Sequence, residues 1–306
     1  MPQFRAPIRV DLGHQELRLD HGALASALAD LPIGAPVVAL IHGYSFMPDL
    51  PGQCPHQHIL SLSPSILDRR VISWPRHLHL DGHRGLALAC GWSARGSIWH
   101  VHRRAALAGR ALAELATLVA QMSPGRHVDV LCHSMGARVA LSALPHSKPG
   151  AFGRMILLAA AETQAFAEKV LASPSGQEVQ VTNVATREND IFDALFEWLV
   201  HGGRRTSIGQ GLSNVPQNWR DLWIDRPETL AVLSEMGHPV ELPSGRISHW
   251  SPYLRPGVFA VYRALLDGTL PFEALPTARP SRRWSHLMAR RRSTYQLGHI
   301  QTETTV

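Results

Sequence analysis

Short apolar runs alternate with longer amphipathic segments through most of this chain. Apolar runs of strand length end at Ile41, Cys132 and Leu158, as expected for strands that are buried on both faces of a parallel sheet. A further strand is predicted over residues 179–184. Between residues 103 and 122, apolar residues recur at helical spacing. The repeated alternation of strand and helix predicts an α/β protein with a doubly wound, mostly parallel sheet.

Weaker patterns predict the remaining elements of this domain. We expect an edge hairpin over residues 5–19, a short strand over 70–74, and helices over 23–31, 163–172, 190–200 and 256–266. The stretch 75–99 is rich in glycine and histidine and has no clear period.

Residues 201–247 interrupt the alternation with glycines, prolines and several large apolar side chains. We interpret them as a lid or cap inserted into one domain of residues 1–275. The alternative is an irregular excursion that packs on the sheet edge. Residues 276–306, rich in proline and arginine, form a basic tail.

The segment 128–141 carries the clearest chemical signal. An apolar run ends at Cys132, passes through His133, Ser134, Met135 and Gly136, and continues as a helix of small residues. A serine at such a strand-to-helix corner is held with its hydroxyl exposed beyond the sheet, and the corner needs small residues two positions before and after it. Ser134 is therefore the candidate nucleophile; the alternative is an ordinary helix N-cap.

A serine nucleophile needs a histidine base and an acid that orients the histidine, and at such corners these follow the serine as acid and then histidine. Asp190, just after the strand that ends at Val184, is the preferred acid, although it could instead cap a helix. Glu188 and Asp193 are reserves, and Glu162 is a weaker candidate.

The preferred base is His249, because it directly precedes the closing helix. His238 is its rival, but it lies within the predicted lid. His133 neighbours the serine, and we expect it to be structural.

Two backbone N–H groups would form the oxyanion hole of such a site. We assign them to Met135, behind the nucleophile, and to Tyr44, in the turn His42-Gly43-Tyr44. Gly43 permits the close backbone approach that this turn requires.

The chain resembles an α/β hydrolase over roughly residues 30–268. The motifs His42-Gly43-Tyr44, Ser73-Trp74-Pro75 and His133-Ser134-Met135-Gly136 resemble those of bacterial hydrolase-like families of unknown function. The resemblance implies a triad of Ser134, Asp190 and His249 and suggests hydrolysis of an ester or thioester without a cofactor. The chain departs from those families at Cys132, where alanine or glycine is usual, and in the histidine-rich segment after Pro75. The substrate is therefore not transferable, although the apolar residues of the lid favour a small-molecule ester with an apolar acyl group.

The charge of the protein is concentrated in its tail. Of the formal net charge of +6 on the 306 residues, +5 falls on residues 279–306, which carry six arginines and one acid. Because Trp284 lies among these arginines, residues 279–292 could contact an anionic membrane surface; a solvated tail is the alternative. No nucleic acid is expected, because the basic patch is small and lies outside the fold.

Three cysteines cannot pair completely, and the first ten residues lack the apolar segment of a secretory signal. We therefore expect a cytoplasmic protein.

Two other functions compete with ester hydrolysis. The eighteen histidines include His77, His79 and His83, which with Asp81 approach the metal-binding set of metallo-β-lactamase-like hydrolases. A looser cluster combines Cys54, His56 and His58. Gly82 would spoil the paired geometry of the first set, and we expect no functional metal. The second alternative is a binding protein on an inactive hydrolase fold.

Overall fold

The described residues form one sheet of eight strands with helices on both of its faces. The computed structural model describes residues 5–13, 16–65, 70–243, 245–277 and 282–285. The strands are β1 (Ile8–Leu12), β2 (Leu17–Leu19), β3 (Val37–Ile41), β4 (Leu86–Gly91), β5 (Val128–His133), β6 (Phe152–Leu158), β7 (Gln180–Ala185) and β8 (Trp219–Trp223). Their order is β2-β1-β4-β3-β5-β6-β7-β8. The edge strand β2 pairs antiparallel with β1, and every other neighbouring pair is parallel.

Ten α-helices are present in the described residues, and most of them cover one sheet face or the other. They are α1 (His21–Asp30), α2 (Trp74–His77), α3 (Ile98–Met122), α4 (Gly136–Ala143), α5 (Gln164–Leu171), α6 (Pro174–Glu178), α7 (Asp190–His201), α8 (Pro227–Glu235), α9 (Ser251–Leu254) and α10 (Val258–Asp267). Helices α1, α3, α4 and α5 contribute to the apolar core on one face. Helices α8, α9 and α10, with the tryptophan that begins α2, contribute to the core on the other.

The strand β3 is apolar throughout because both of its faces are buried. Side chains alternate between the two faces of a strand, so Val37, Ala39 and Ile41 join one core while Val38 and Leu40 join the other. All five side chains are buried. A polar residue at any of these positions would lose its hydration without gaining a partner.

The structure confirms the predicted α/β class and the edge hairpin. It also confirms the helix predicted over residues 103–122, which is α3 and begins earlier, at Ile98. Among the residues described, no helix has the length and apolar character to cross a bilayer.

The predicted strand over residues 70–74 is wrong, because Trp74 instead begins α2. The Ser73 hydroxyl accepts a hydrogen bond from the Arg76 N–H at 3.2 Å, and Pro75 lies in the first turn of this helix. A capping hydroxyl followed by an early proline favours a helix start over a strand. The strand that precedes α3 is β4, in a stretch for which the sequence predicted no element.

The predicted lid over residues 201–247 is not confirmed. This stretch contains β8, whose register with β7 runs from Val181–Trp219 to Ala185–Trp223. Trp219 and Trp223, two of the large apolar side chains of this stretch, are fully buried. This part of the stretch thus matches the alternative of an excursion that packs on the sheet edge.

Candidate active site

Ser134 occupies a strained corner between β5 and α4. Its φ is 55°, in the left-handed region that residues other than glycine rarely adopt. Hydrogen bonds on both sides hold this conformation: the Ser134 N–H donates to the Leu158 carbonyl at 2.9 Å, and the Ala161 N–H donates to the Ser134 carbonyl at 3.0 Å. The loop after β6 therefore fixes the corner that presents the serine.

Gly136 must be small because α4 lies directly against β3. A Cβ added at Gly136 would lie 2.8 Å from the carbonyl oxygens of both Ile41 and His42 and 3.3 Å from the Cβ of Cys132. Cys132 is fully buried, and burial raises the pKa of its thiol. The thiol therefore stays protonated and acts as a small apolar side chain.

The turn after β3 brings a second backbone segment against the serine. A Cβ at Gly43 would lie 2.9 Å from the Ser134 Cβ, so only glycine fits. The turn is held by His42, whose Nε2 accepts the Trp92 N–H at 3.0 Å while its Nδ1–H donates to the Gly43 carbonyl at 2.9 Å. Complete burial lowers the pKa of His42 to about 3, so the ring is neutral and this tautomer is fixed.

Two backbone N–H groups assigned from the sequence lie at this corner. In the described part of the chain, the N–H groups of Tyr44 and Met135 have no backbone acceptor. Met135 directly precedes α4, whose N-terminal end carries a partial positive charge. The loop of Tyr44 and the start of α4 thus meet beside the Ser134 hydroxyl.

His249 reaches the same edge of the sheet through a polar anchor on Glu188. The Ser248 N–H donates to the Glu188 carbonyl at 3.0 Å, and the Ser251 hydroxyl donates to Glu188 Oε2 at 2.6 Å. Arg255 forms a buried ion pair with the same carboxylate. Glu188, a reserve acid in the sequence, therefore fixes the loop of His249 to the end of β7.

The residue that contacts His249 Nδ1 is Asn189. The Nδ1 atom lies 2.7 Å from Asn189 Oδ1, and Asn189 Nδ2 donates to Asp193 Oδ1 at 3.0 Å. Asp193 Oδ1 also accepts the Ser207 hydroxyl at 3.2 Å. Because the amide nitrogen of Asn189 faces a carboxylate, its oxygen faces the imidazole. His249 therefore donates through Nδ1, which leaves the lone pair on Nε2.

Asp190, the acid preferred from the sequence, makes different contacts. Its Oδ1 lies 2.9 Å from Arg187 Nη1, and its Oδ2 accepts the Trp284 N–H at 2.7 Å. Both members of the ion pair are buried. The carboxylate thus neutralises a buried guanidinium, while the neighbouring Asn189 faces His249.

Burial controls the protonation of the groups around His249. Burial, with a smaller effect of His133, lowers the pKa of His249 well below its usual value, so the ring is neutral at pH 7. Burial raises the pKa of Asp193 to about 7. His133, which we expected to be structural, donates through Nε2 to the His249 carbonyl at 2.9 Å.

Ser134 and His249 line one cavity of about 460 Å³. Its polar lining includes Asn189 and Arg70, and the Arg70 guanidinium lies 4.0 Å from the centre of the Trp250 ring. The apolar lining includes Phe46, Ile59, Ile98, Phe192, Leu195, Phe196, Leu199 and Trp250. Residues from α7 form much of this wall. Among the described residues of 201–247, none lines this cavity, and His238, the rival base, is therefore not part of it.

The histidine clusters singled out in the sequence make hydrogen bonds within the protein. His77 Nδ1 bonds the Ser73 carbonyl at 2.8 Å, and Asp81 accepts the backbone N–H groups of His83 and Arg84 at 2.9 Å. In the second cluster, His56 Nε2 lies 2.9 Å from Oδ1 of Asp11, a residue of β1. Among the described residues, the one group with metal-ligand spacing combines His102, Glu162 and His201. Neither cluster predicted from the sequence contributes to it.

Most of the basic tail lies outside the described residues. The described part includes Arg283, which forms an ion pair with Glu197 of α7 at 2.8 Å. The membrane contact proposed for residues 279–292 stays a prediction.

The fold defines an α/β protein with a mostly parallel, eight-stranded open sheet flanked by helices, compatible with an α/β hydrolase. No protein-family model matches the chain, and a search of curated proteins finds no similar sequence.

Proposed function

We propose that this protein is a serine hydrolase that cleaves a carboxylic ester or thioester with an apolar acyl group. The observation that carries the proposal is the cavity shared by a strained serine, Ser134, and a neutral histidine, His249, whose Nδ1–H is already engaged. A neutral imidazole with a free Nε2 is the form that removes a proton from a serine hydroxyl.

In the proposed mechanism, Ser134 attacks the acyl carbonyl while His249 Nε2 takes its proton. Asn189 holds the imidazole through Nδ1, a role that the sequence assigned to Asp190. The N–H groups of Tyr44 and Met135 stabilise the oxyanion. His249 then protonates the leaving group, and a water molecule hydrolyses the acyl-enzyme by the same proton transfers in reverse. No cofactor takes part in these steps.

The cavity supports an uncharged acyl group over a charged one. Its walls are mainly apolar, and Phe192 stacks on the His249 ring with centroids 4.7 Å apart. An apolar chain would displace water from these walls, at roughly 0.8 kcal/mol for each buried CH₂ group. Arg70 adds a cationic group to the lining.

A fluorophosphonate probe and a chain-length series of p-nitrophenyl esters test the proposal. Wild-type protein should react with the probe at Ser134 and hydrolyse the esters, and S134A should do neither. The matched control is S45A, because Ser45 lines the same cavity and also has a positive φ, of 80°. Ester hydrolysis that survives in S134A would refute the nucleophile. A wild-type protein that neither reacts nor hydrolyses any ester would favour the binding-protein alternative.

A further inference from the structure

We propose that His102, Glu162 and His201 bind one divalent transition-metal ion, with zinc as the best fit. His102 belongs to α3, Glu162 follows β6, and His201 is the last residue of α7. One potential ligand atom from each lies within 4.8 Å of the other two. Elements distant in the sequence therefore bring two imidazoles and one carboxylate to a single point outside the proposed catalytic set.

Both histidines leave a buried nitrogen without a partner. Nε2 of His102 and Nε2 of His201 are inaccessible to solvent, and neither has a hydrogen-bond partner among the described residues. The centroids of the His102 and His201 rings are 5.5 Å apart, and the ring planes are nearly perpendicular. An unpartnered buried polar atom costs about 1–3 kcal/mol and calls for an explanation. A metal ion between the rings would satisfy both nitrogens.

The carboxylate of Glu162 is oriented by its neighbours. Its Oε1 accepts the N–H and the hydroxyl of Thr163 at 2.7 and 3.2 Å, and its Oε2 lies 2.5 Å from Arg138 Nη1. Each oxygen has two lone pairs, so Oε2 can bind a metal while it keeps the arginine. The nearby guanidinium weakens the binding of any cation. Because two of the three ligands are imidazoles, the site favours zinc over calcium or magnesium, which prefer oxygen ligands.

Metal binding requires a small closure of the site. Two ligands of a tetrahedral zinc are roughly 3.4 Å apart when each bond is about 2.1 Å, whereas the atoms here are separated by up to 4.8 Å. His201 can supply the movement, because it ends α7 and is followed by Gly202 in the left-handed conformation. We therefore expect zinc to draw the end of α7 towards α3.

This site adjoins the wall of the catalytic cavity. The ring of Phe196, which lines the cavity, lies 6.0 Å from the ring of His102 and 5.5 Å from that of His201. Zinc should therefore also stabilise α7, which forms much of that wall.

The test is zinc binding by the full-length protein, with any affinity tag removed and after treatment with a chelator. Equilibrium dialysis against zinc should give one bound ion per chain for the wild type. The variants H102Q and H201A should each weaken binding by more than about 10-fold, since loss of an outer partner of a ligand already costs about 10- to 100-fold. The control H79Q, in the histidine-rich segment, should bind as the wild type does.

A second readout reports the metal ligands directly. Cobalt in place of zinc should give the visible absorption of a site with nitrogen ligands in the wild type but not in H201A. If H102Q fails to fold, H201A decides alone, because its substitution lies at a helix end. Wild-type protein without bound metal, or zinc binding that H79Q weakens and H201A does not, would overturn the proposal. The assays are repeated in S134A, so that their outcome is independent of the proposed catalysis.

Discussion

The substitution N189A tests whether His249 is oriented by Asn189, which contacts it, rather than by Asp190, the acid preferred from the sequence. Asn189 accepts from His249 Nδ1 at 2.7 Å, and its side chain makes no capping bond to α7. Removing it leaves a buried N–H without an acceptor, which costs about 1–3 kcal/mol. If that cost falls on the transition state, kcat/KM for a p-nitrophenyl ester should fall roughly 5- to 150-fold.

The matched variant is D190N. It removes the charge that faces the buried Arg187 at 2.9 Å, and breaking a buried ion pair costs about 3–5 kcal/mol of stability. We therefore expect a lower urea midpoint for D190N but a kcat/KM, corrected for folded protein, close to that of the wild type. Unfolding curves and active-site titration separate the two effects. A D190N variant that folds normally but loses more activity than N189A would refute our assignment of roles.

Three further predictions follow from the buried groups. The acid limb of kcat/KM should have its midpoint well below pH 6.5, because burial lowers the pKa of His249 and the base stays neutral to lower pH; a midpoint at or above 6.5 would contradict this. The pKa of His42 is about 3 in the folded protein and 6.5 in the unfolded chain, so the unfolded chain takes up the proton first as the pH falls. His42 should then cost about 3 kcal/mol of stability between pH 6.5 and 4, and H42Q should show a flatter urea-unfolding profile over this range. G136A should lower the urea midpoint, because its Cβ would lie 2.8 Å from two carbonyl oxygens. The control G22A, in the helix α1 with its nearest atom at 3.4 Å, should instead gain up to about 1 kcal/mol.

The sequence predicted the corner at Ser134 because its requirements are local. The left-handed serine and the small residue behind it belong to one short segment, and a Cβ at Gly136 would lie 2.8 Å from two carbonyl oxygens. The strand β4 was missed for a non-local reason. It is buried only because β1 and β3 cover its two edges, and its alternation of alanine and leucine favours a helix as much as a strand.

The choice between Asn189 and Asp190 could not be made from sequence. The two residues are adjacent at the start of α7, where one residue corresponds to about 100° of rotation. Which side chain faces His249 depends on where the helix begins, and helix boundaries are the least certain feature of a sequence prediction. The partner of Asp190 is Arg187, at 2.9 Å. The presence of that arginine in the same turn is the one sequence signal that favours an ion pair for Asp190.

The short loop between β7 and α7 organises this site more than any strand does. Arg187 donates to the Gly209 carbonyl at 2.8 Å and neutralises Asp190, while Glu188 holds the loop of His249. Asn189, between them, contacts the imidazole itself. Buried ion pairs contribute little net stability, so their value here lies in geometry: each fixes the direction of a neighbour. Exchange of the uncharged Asn189 should therefore alter the position of His249 before it alters the fold of the sheet.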